Sequence, residues 1–208
     1  MSIISKQYWK ALEAWSPTLF FVGFVLELIF ALNHGAAYLV ESVTFFDWIY
    51  PTVIVGRLAV LLGLAGLSVG LIELHPRIGK LSRVLLSGAM VFAVGLIATS
   101  ILQNLGVTTP LIAVFGAGTV VFTLLSFILF GIAGLRTDAF PTVVGGLMLV
   151  ASVAILFVLL GSGTFSTNIR GAVGESVNAI AFLAVWYVLR SRSTATTTTE
   201  QVTDTPIE

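Results

Sequence analysis

The chain has 208 residues, 57% of them hydrophobic and 10% charged, with zero formal net charge and a mean hydropathy of +1.06. Soluble domains usually carry about a quarter charged residues, so this composition excludes an ordinary water-clothed domain and requires a lipid bilayer around the chain. The neutral charge balance leaves no nucleic-acid footprint, and the absence of cysteine excludes disulfides, thiolate chemistry and cysteine-ligated metal.

Residues 1–16, MSIISKQYWKALEAWS, repeat apolar groups at helical spacing through Ile4, Tyr8, Leu12 and Trp15, with Lys6, Lys10 and Glu13 elsewhere around the turn. The pattern predicts a short amphipathic helix lying in the membrane interface. Ser16 and Pro17 then read as the N-cap and first residue of a first membrane span near 17–40.

Further apolar runs, each near the length that crosses a hydrocarbon layer of roughly 30 Å, predict spans near 51–74, 81–104, 110–135, 141–161 and 171–190. Pro51, Pro110 and Pro141 mark three of the starts. The expected fold is an all-α integral membrane protein, one bundle of six transmembrane helices over 17–190. The threonine-rich tail, 191–208, has too little apolar surface to offset chain entropy and is expected to be disordered.

Lysine and arginine placement predicts the orientation. With the N-terminus cytoplasmic, Lys6, Lys10, Arg77, Lys80, Arg83, Arg136, Arg190 and Arg192 fall inside, which is eight of the ten cations; Arg170 falls outside and Arg57 within a span. The expectation is a multi-pass protein of the plasma membrane with both termini cytoplasmic. The stretch ESVTFFDWIY, 41–50, would then lie outside, its aromatic side chains forming an interfacial belt.

Glycines recur along two spans: Gly56, Gly63, Gly66 and Gly70 in the second, Gly88 and Gly95 in the third. In lipid, close backbone approach matters more than apolar burial, so these residues are expected at helix-packing seams, within the chain or against a second copy. VLLSGAMVFA (84–93) and TVVGGLMLVA (142–151) share Gly, Met and Ala 58 residues apart, which suggests that hairpins 2–3 and 4–5 are copies.

The chemistry-bearing residues are few. Glu27 lies about 15 Å along a helix starting at Pro17, and a carboxylate in mid-bilayer costs at least about 2.5 kcal/mol unless paired, protonated or hydrated. Arg57, His34, Glu175 and Asn178 all fall in the same half of the predicted bundle, and with Glu27 they form a candidate intramembrane polar cluster. An ion pair from Arg57 to Glu27 or Glu175 is one expectation. An outward-opening pocket among spans one, two and six, with Glu27 as its titratable group, is the other.

No catalytic residue, metal ligand or cofactor is predicted. His34 and His75 fall at opposite ends of the bundle, no lysine lies within a span, and no GxSxG or HExxH occurs. The functional expectation is a membrane protein of unassigned biochemical role that handles a small solute or ion through the polar pocket. The alternative is a structural, assembly or sensory protein whose ion pair is architectural. A homo-oligomer or a membrane-protein partner fits either.

Overall fold

In lipid every backbone N–H and C=O must find its partner within the segment, which confines these apolar runs to helices. The computed structural model describes the backbone of residues 3–40, 46–107, 109–161 and 164–203, and side chains within 8–40, 51–107, 109–161 and 164–192. It contains α1 (Ile3–Leu39), α2 (Phe46–Leu74), α3 (Pro76–Asn104), α4 (Leu111–Arg136), α5 (Thr142–Leu160) and α6 (Thr167–Thr203). All six are long and apolar enough to cross a membrane. The protein is an all-α, six-helix membrane bundle.

Each helix packs on the one before and the one after, and α6 closes on α1, so the bundle is a ring in chain order. Short connections make consecutive helices antiparallel. The second helix is the most enclosed: 72% of its apolar window is buried, against 22% for α4. One half of the bundle interior is filled by Phe20, Leu64, Phe127, Phe130, Met148 and Phe182, all essentially inaccessible. Phe182 touches both Phe20 and Phe127, with ring centroids 6.2 and 5.9 Å away.

Several boundaries differ from the sequence reading. Residues 3–16 are helical but are not a separate element, because α1 runs unbroken through Pro17. Proline there forgoes the backbone bond to the Glu13 carbonyl. Ser16, expected as an N-cap, is instead buried and donates its hydroxyl to Leu12 O and, across to α2, Gly63 O at 2.9 Å, which ties this turn of α1 to α2. Within that segment Tyr8 and Trp15 are exposed, whereas Trp9 packs on the core and lies 4.0 Å beneath the Arg83 guanidinium. The start of α1 thus docks on the bundle.

Pro51 lies inside α2, and α3 begins at Pro76 rather than near 81. His75 occupies the N-cap position, exposed and without a side-chain capping bond, and the following proline fits the first turn. The tail is helical as far as Thr203, where disorder was expected. Extending a formed helix needs no new nucleus, and nucleation is the unfavourable step. The proposed aromatic belt falls on residues whose side chains lie outside the described set.

The glycine seams are internal to the chain. A Cβ added at Gly56 would stand 2.8 Å from Leu26, one at Gly63 3.0 Å from Phe20, and one at Gly66 2.6 Å from Leu12 O, so three glycines of α2 admit α1. Gly70 faces Ala139 O in the α4–α5 connection instead. On α3, Gly88 and Gly95 receive the rings of Phe122 and Phe115 from α4. Gly23, Gly131, Gly134 and Gly145 make equally close approaches, Gly145 against the backbone of Gly134. The suggested repeat does not extend to these surroundings: Gly88 is filled by an aromatic ring, while its counterpart Gly146 has nothing within 4 Å.

Candidate functional site

Glu27, Arg57 and Glu175 sit on α1, α2 and α6, the three helices that pack consecutively around one side of the ring. Arg57 turns inward between the two acids. Its Nε donates to Glu27 Oε1 at 2.6 Å and its Nη2 to Glu175 Oε2 at 2.7 Å. The side chains of Arg57, Glu27 and Glu175 are 13%, 0% and 8% exposed. Guanidinium is the cation suited to this role, since its rigid fork can serve two carboxylates at once. Asn178, one turn beyond Glu175 on the same face, donates its amide to Glu175 Oε2 at 3.1 Å.

Two acceptor atoms are left over. Glu27 Oε2 and Asn178 Oδ1 are buried with no hydrogen-bond partner. Unsatisfied buried polar atoms cost free energy and are rare in native interiors. The charges also do not balance: two carboxyls share one guanidinium, so the group carries an excess negative charge whenever both are ionised. The carboxyls lie close enough to interact with one another.

On the bundle axis beside this trio lies a cavity of about 340 Å³. All six helices line it: Phe30 and His34 of α1, Val53, Ile54 and Arg57 of α2, Leu96 of α3, Gly116, Thr119 and Val120 of α4, Ile155, Val158 and Leu159 of α5, and Thr167, Gly171 and Glu175 of α6. The walls are mostly apolar, with the edge of the Arg57–Glu175 pair as the charged feature. The aromatic core around Phe182 fills the other half, so the cavity is blind at that end.

The cluster is therefore assembled differently from the sequence expectation. The pocket draws on six helices, not on α1, α2 and α6 alone. Glu175 and Arg57 face it, whereas Glu27 and Asn178 stand behind them and do not line it. His34 lines the cavity from the helix interior: it is 4% exposed, edge-on to Phe30 and 3.5 Å from Asn168 Oδ1 through Nδ1. Gly171 makes room for its ring, since a Cβ there would stand 2.5 Å from it.

Sequence reasoning did not find Leu96, Gly116, Thr119, Val120, Ile155, Val158 or Gly171. Apolar wall residues carry no signal that separates them from core, and Thr119 spends its hydroxyl on Phe115 O within its own helix. Ser68, Thr99 and Ser126 likewise bond back to their own helices, whereas the buried Ser100 hydroxyl has no hydrogen-bond partner. Arg170, the cation expected in an outer loop, clamps the α5–α6 connection by donating to Val158 O and Phe165 O.

No family model, curated protein or solved structure matches this chain.

Proposed function

We propose that this protein handles a small solute or ion in the axial cavity, with the Glu27–Arg57–Glu175 cluster as its polar end. The observation that carries this reading is the cavity itself. A purely architectural ion pair needs no space beside it, whereas here about 340 Å³ adjoins Arg57 and Glu175. That volume falls in the range of small-molecule sites, and apolar walls with a few convergent polar groups are their usual composition.

The cation distribution supports both termini facing the cytoplasm, and the reading places the protein in the plasma membrane. In that orientation the cavity belongs to the outer half of the bundle. Because the aromatic core closes the inner half, passage through the protein would require the helices around Phe20, Phe127 and Phe182 to move. An occluded or alternating cycle fits this arrangement better than an open channel.

The test is proton-coupled flux in liposomes loaded with a pH-sensitive dye, challenged with small amines, carboxylates and neutral alcohols. At least one class is expected to move protons above the rate of protein-free vesicles. That movement is expected to fall in Gly116→Leu, which fills the cavity from a position where an added Cβ meets only Leu96 at 3.9 Å. No solute-dependent movement, or movement indifferent to the filled cavity, would overturn the reading.

A second reading has its own support. Glu27 is wholly buried and Arg57 ties α2 to both α1 and α6. An architectural lock of this kind suits a structural, assembly or sensory protein, and crosslinking in native membranes to a reproducible partner would favour it.

A further inference from the structure

We infer that the cavity takes a small organic cation, an ammonium group on an apolar body, and that its binding releases one proton from the Glu27–Arg57–Glu175 cluster. This rests on the solute-handling reading above and names the chemistry of the solute.

Charge balance is the first argument. Two carboxyls meet one guanidinium, and both contacts are short and buried. In a low-dielectric interior an excess charge is strongly disfavoured. The cluster becomes neutral by holding either one proton or one added cation. An anion would make the imbalance worse, and would have to compete with two carboxylates for Arg57.

Geometry divides the roles. Glu175 faces the cavity, so its carboxylate is the group an ammonium can reach. Glu27 is fully buried behind Arg57, with Oε2 unpartnered, and so provides a place for a proton out of contact with the solute. Asn178, which does not line the cavity, holds the Glu175 carboxylate in place through its amide. The faces of α3, α4 and α5 that line the cavity bring no charged group, only the Thr119 hydroxyl. His34, held near Asn168, stands on α1 at the cavity wall.

The walls determine the body of the ligand. Beyond the Glu175 carboxylate and the Thr119 and Thr167 hydroxyls the walls are apolar, with Phe30, Ile54, Leu96, Ile155 and Val158, too few side-chain oxygens to replace the roughly six that surround a hard inorganic ion. An apolar group does fit such walls, and the aromatic ring of Phe30 is a surface an organic ammonium favours.

The experiment uses three matched molecules, benzylammonium, benzyl alcohol and benzoate, titrated calorimetrically into the purified full chain in detergent at neutral pH. Repeating the titration in buffers of different ionisation enthalpy counts protons. Benzylammonium is expected to bind at least about tenfold more tightly than either analogue, with release of about one proton per molecule bound. Glu175→Gln should abolish that preference, and Gly116→Leu should remove binding of all three.

Tighter binding of benzoate or benzyl alcohol would overturn the cation assignment while leaving the cavity as a solute site. Benzylammonium binding without proton release would overturn the exchange. Sodium chloride stabilising the protein as well as benzylammonium does would overturn the organic ligand in favour of a simple cation. Wild-type protein alone supplies the proton count, so the exchange is tested even where Glu175→Gln fails to fold. Absence of binding by all three would overturn the cation assignment, and the flux assay then judges the solute-handling reading separately.

Discussion

Arg57 Nη2 donates to Glu175 Oε2 at 2.7 Å, joining residues 118 positions apart in sequence. Together with the 2.6 Å contact from Nε to Glu27, it ties three of the six helices through one guanidinium. The same contact forms part of the wall of the axial cavity. One residue thus serves both helix packing and the candidate site, and the two roles separate under mutation.

Replacing Arg57 by glutamine strands two buried carboxyls without their cation. Breaking a buried charge pair from one side typically costs about 3–5 kcal/mol, and that loss is expected here in reversible unfolding of the purified protein. Glu27→Gln should cost clearly less, because Arg57 keeps Glu175. Combining Glu27→Gln with Arg57→Gln should be less damaging than the sum of the two changes, since each removes what the other leaves unpaired. Strict additivity would mean that the pair does not couple in solution.

Gly66 and Gly146 should respond in opposite directions to alanine. At Gly66 the new Cβ would stand 2.6 Å from Leu12 O and 2.9 Å from the adjoining carbonyl carbon, so α1 must move off α2. Overpacking of this kind costs about 1–3 kcal/mol. At Gly146 nothing lies within 4 Å, and the change should stabilise by about 0.4–1 kcal/mol through the unfolded chain. Thermal unfolding of both variants in one detergent checks the pair.

Ser16→Ala removes the hydroxyl that bridges α1 to Gly63 O. Interhelical hydrogen bonds in membranes average about 0.6 kcal/mol, so the expected loss is of that order and well below the loss at Arg57. A loss as large as that of Arg57→Gln would mean that the Pro17 region depends on Ser16 for its helical path.

Orientation can be read without background because the chain has no cysteine. Thr167→Cys at the cavity wall and Arg77→Cys at the opposite end are treated with a membrane-impermeant maleimide on intact cells. Thr167→Cys should react directly, and Arg77→Cys only after permeabilisation. The reverse pattern would place the cavity on the cytoplasmic side.

Much of this protein is written in local composition. Apolar runs of sufficient length, together with the backbone's need for internal hydrogen bonds, dictate six membrane-crossing helices. The cost of a lone carboxylate in lipid singles out Glu27 and points to Arg57 and Glu175 as its company. Helix limits were less legible: Pro17 and Pro51 look like starts, yet both lie inside helices, because a membrane-spanning helix tolerates a proline and the one backbone bond it removes.

Sequence alone therefore determined the class of protein and the polar residues that had to meet, since both follow from the solvent the chain is in. Only the tertiary structure decided which residues share the cavity, that Glu175 rather than Glu27 faces it, and that Gly56, Gly63 and Gly66 receive α1 while Gly88 and Gly95 receive aromatic rings of α4. Those outcomes depend on how each helix is rotated about its axis in the closed ring. In lipid that rotation is set by shape and by a few polar contacts between segments distant in sequence, since apolarity on every side favours no face.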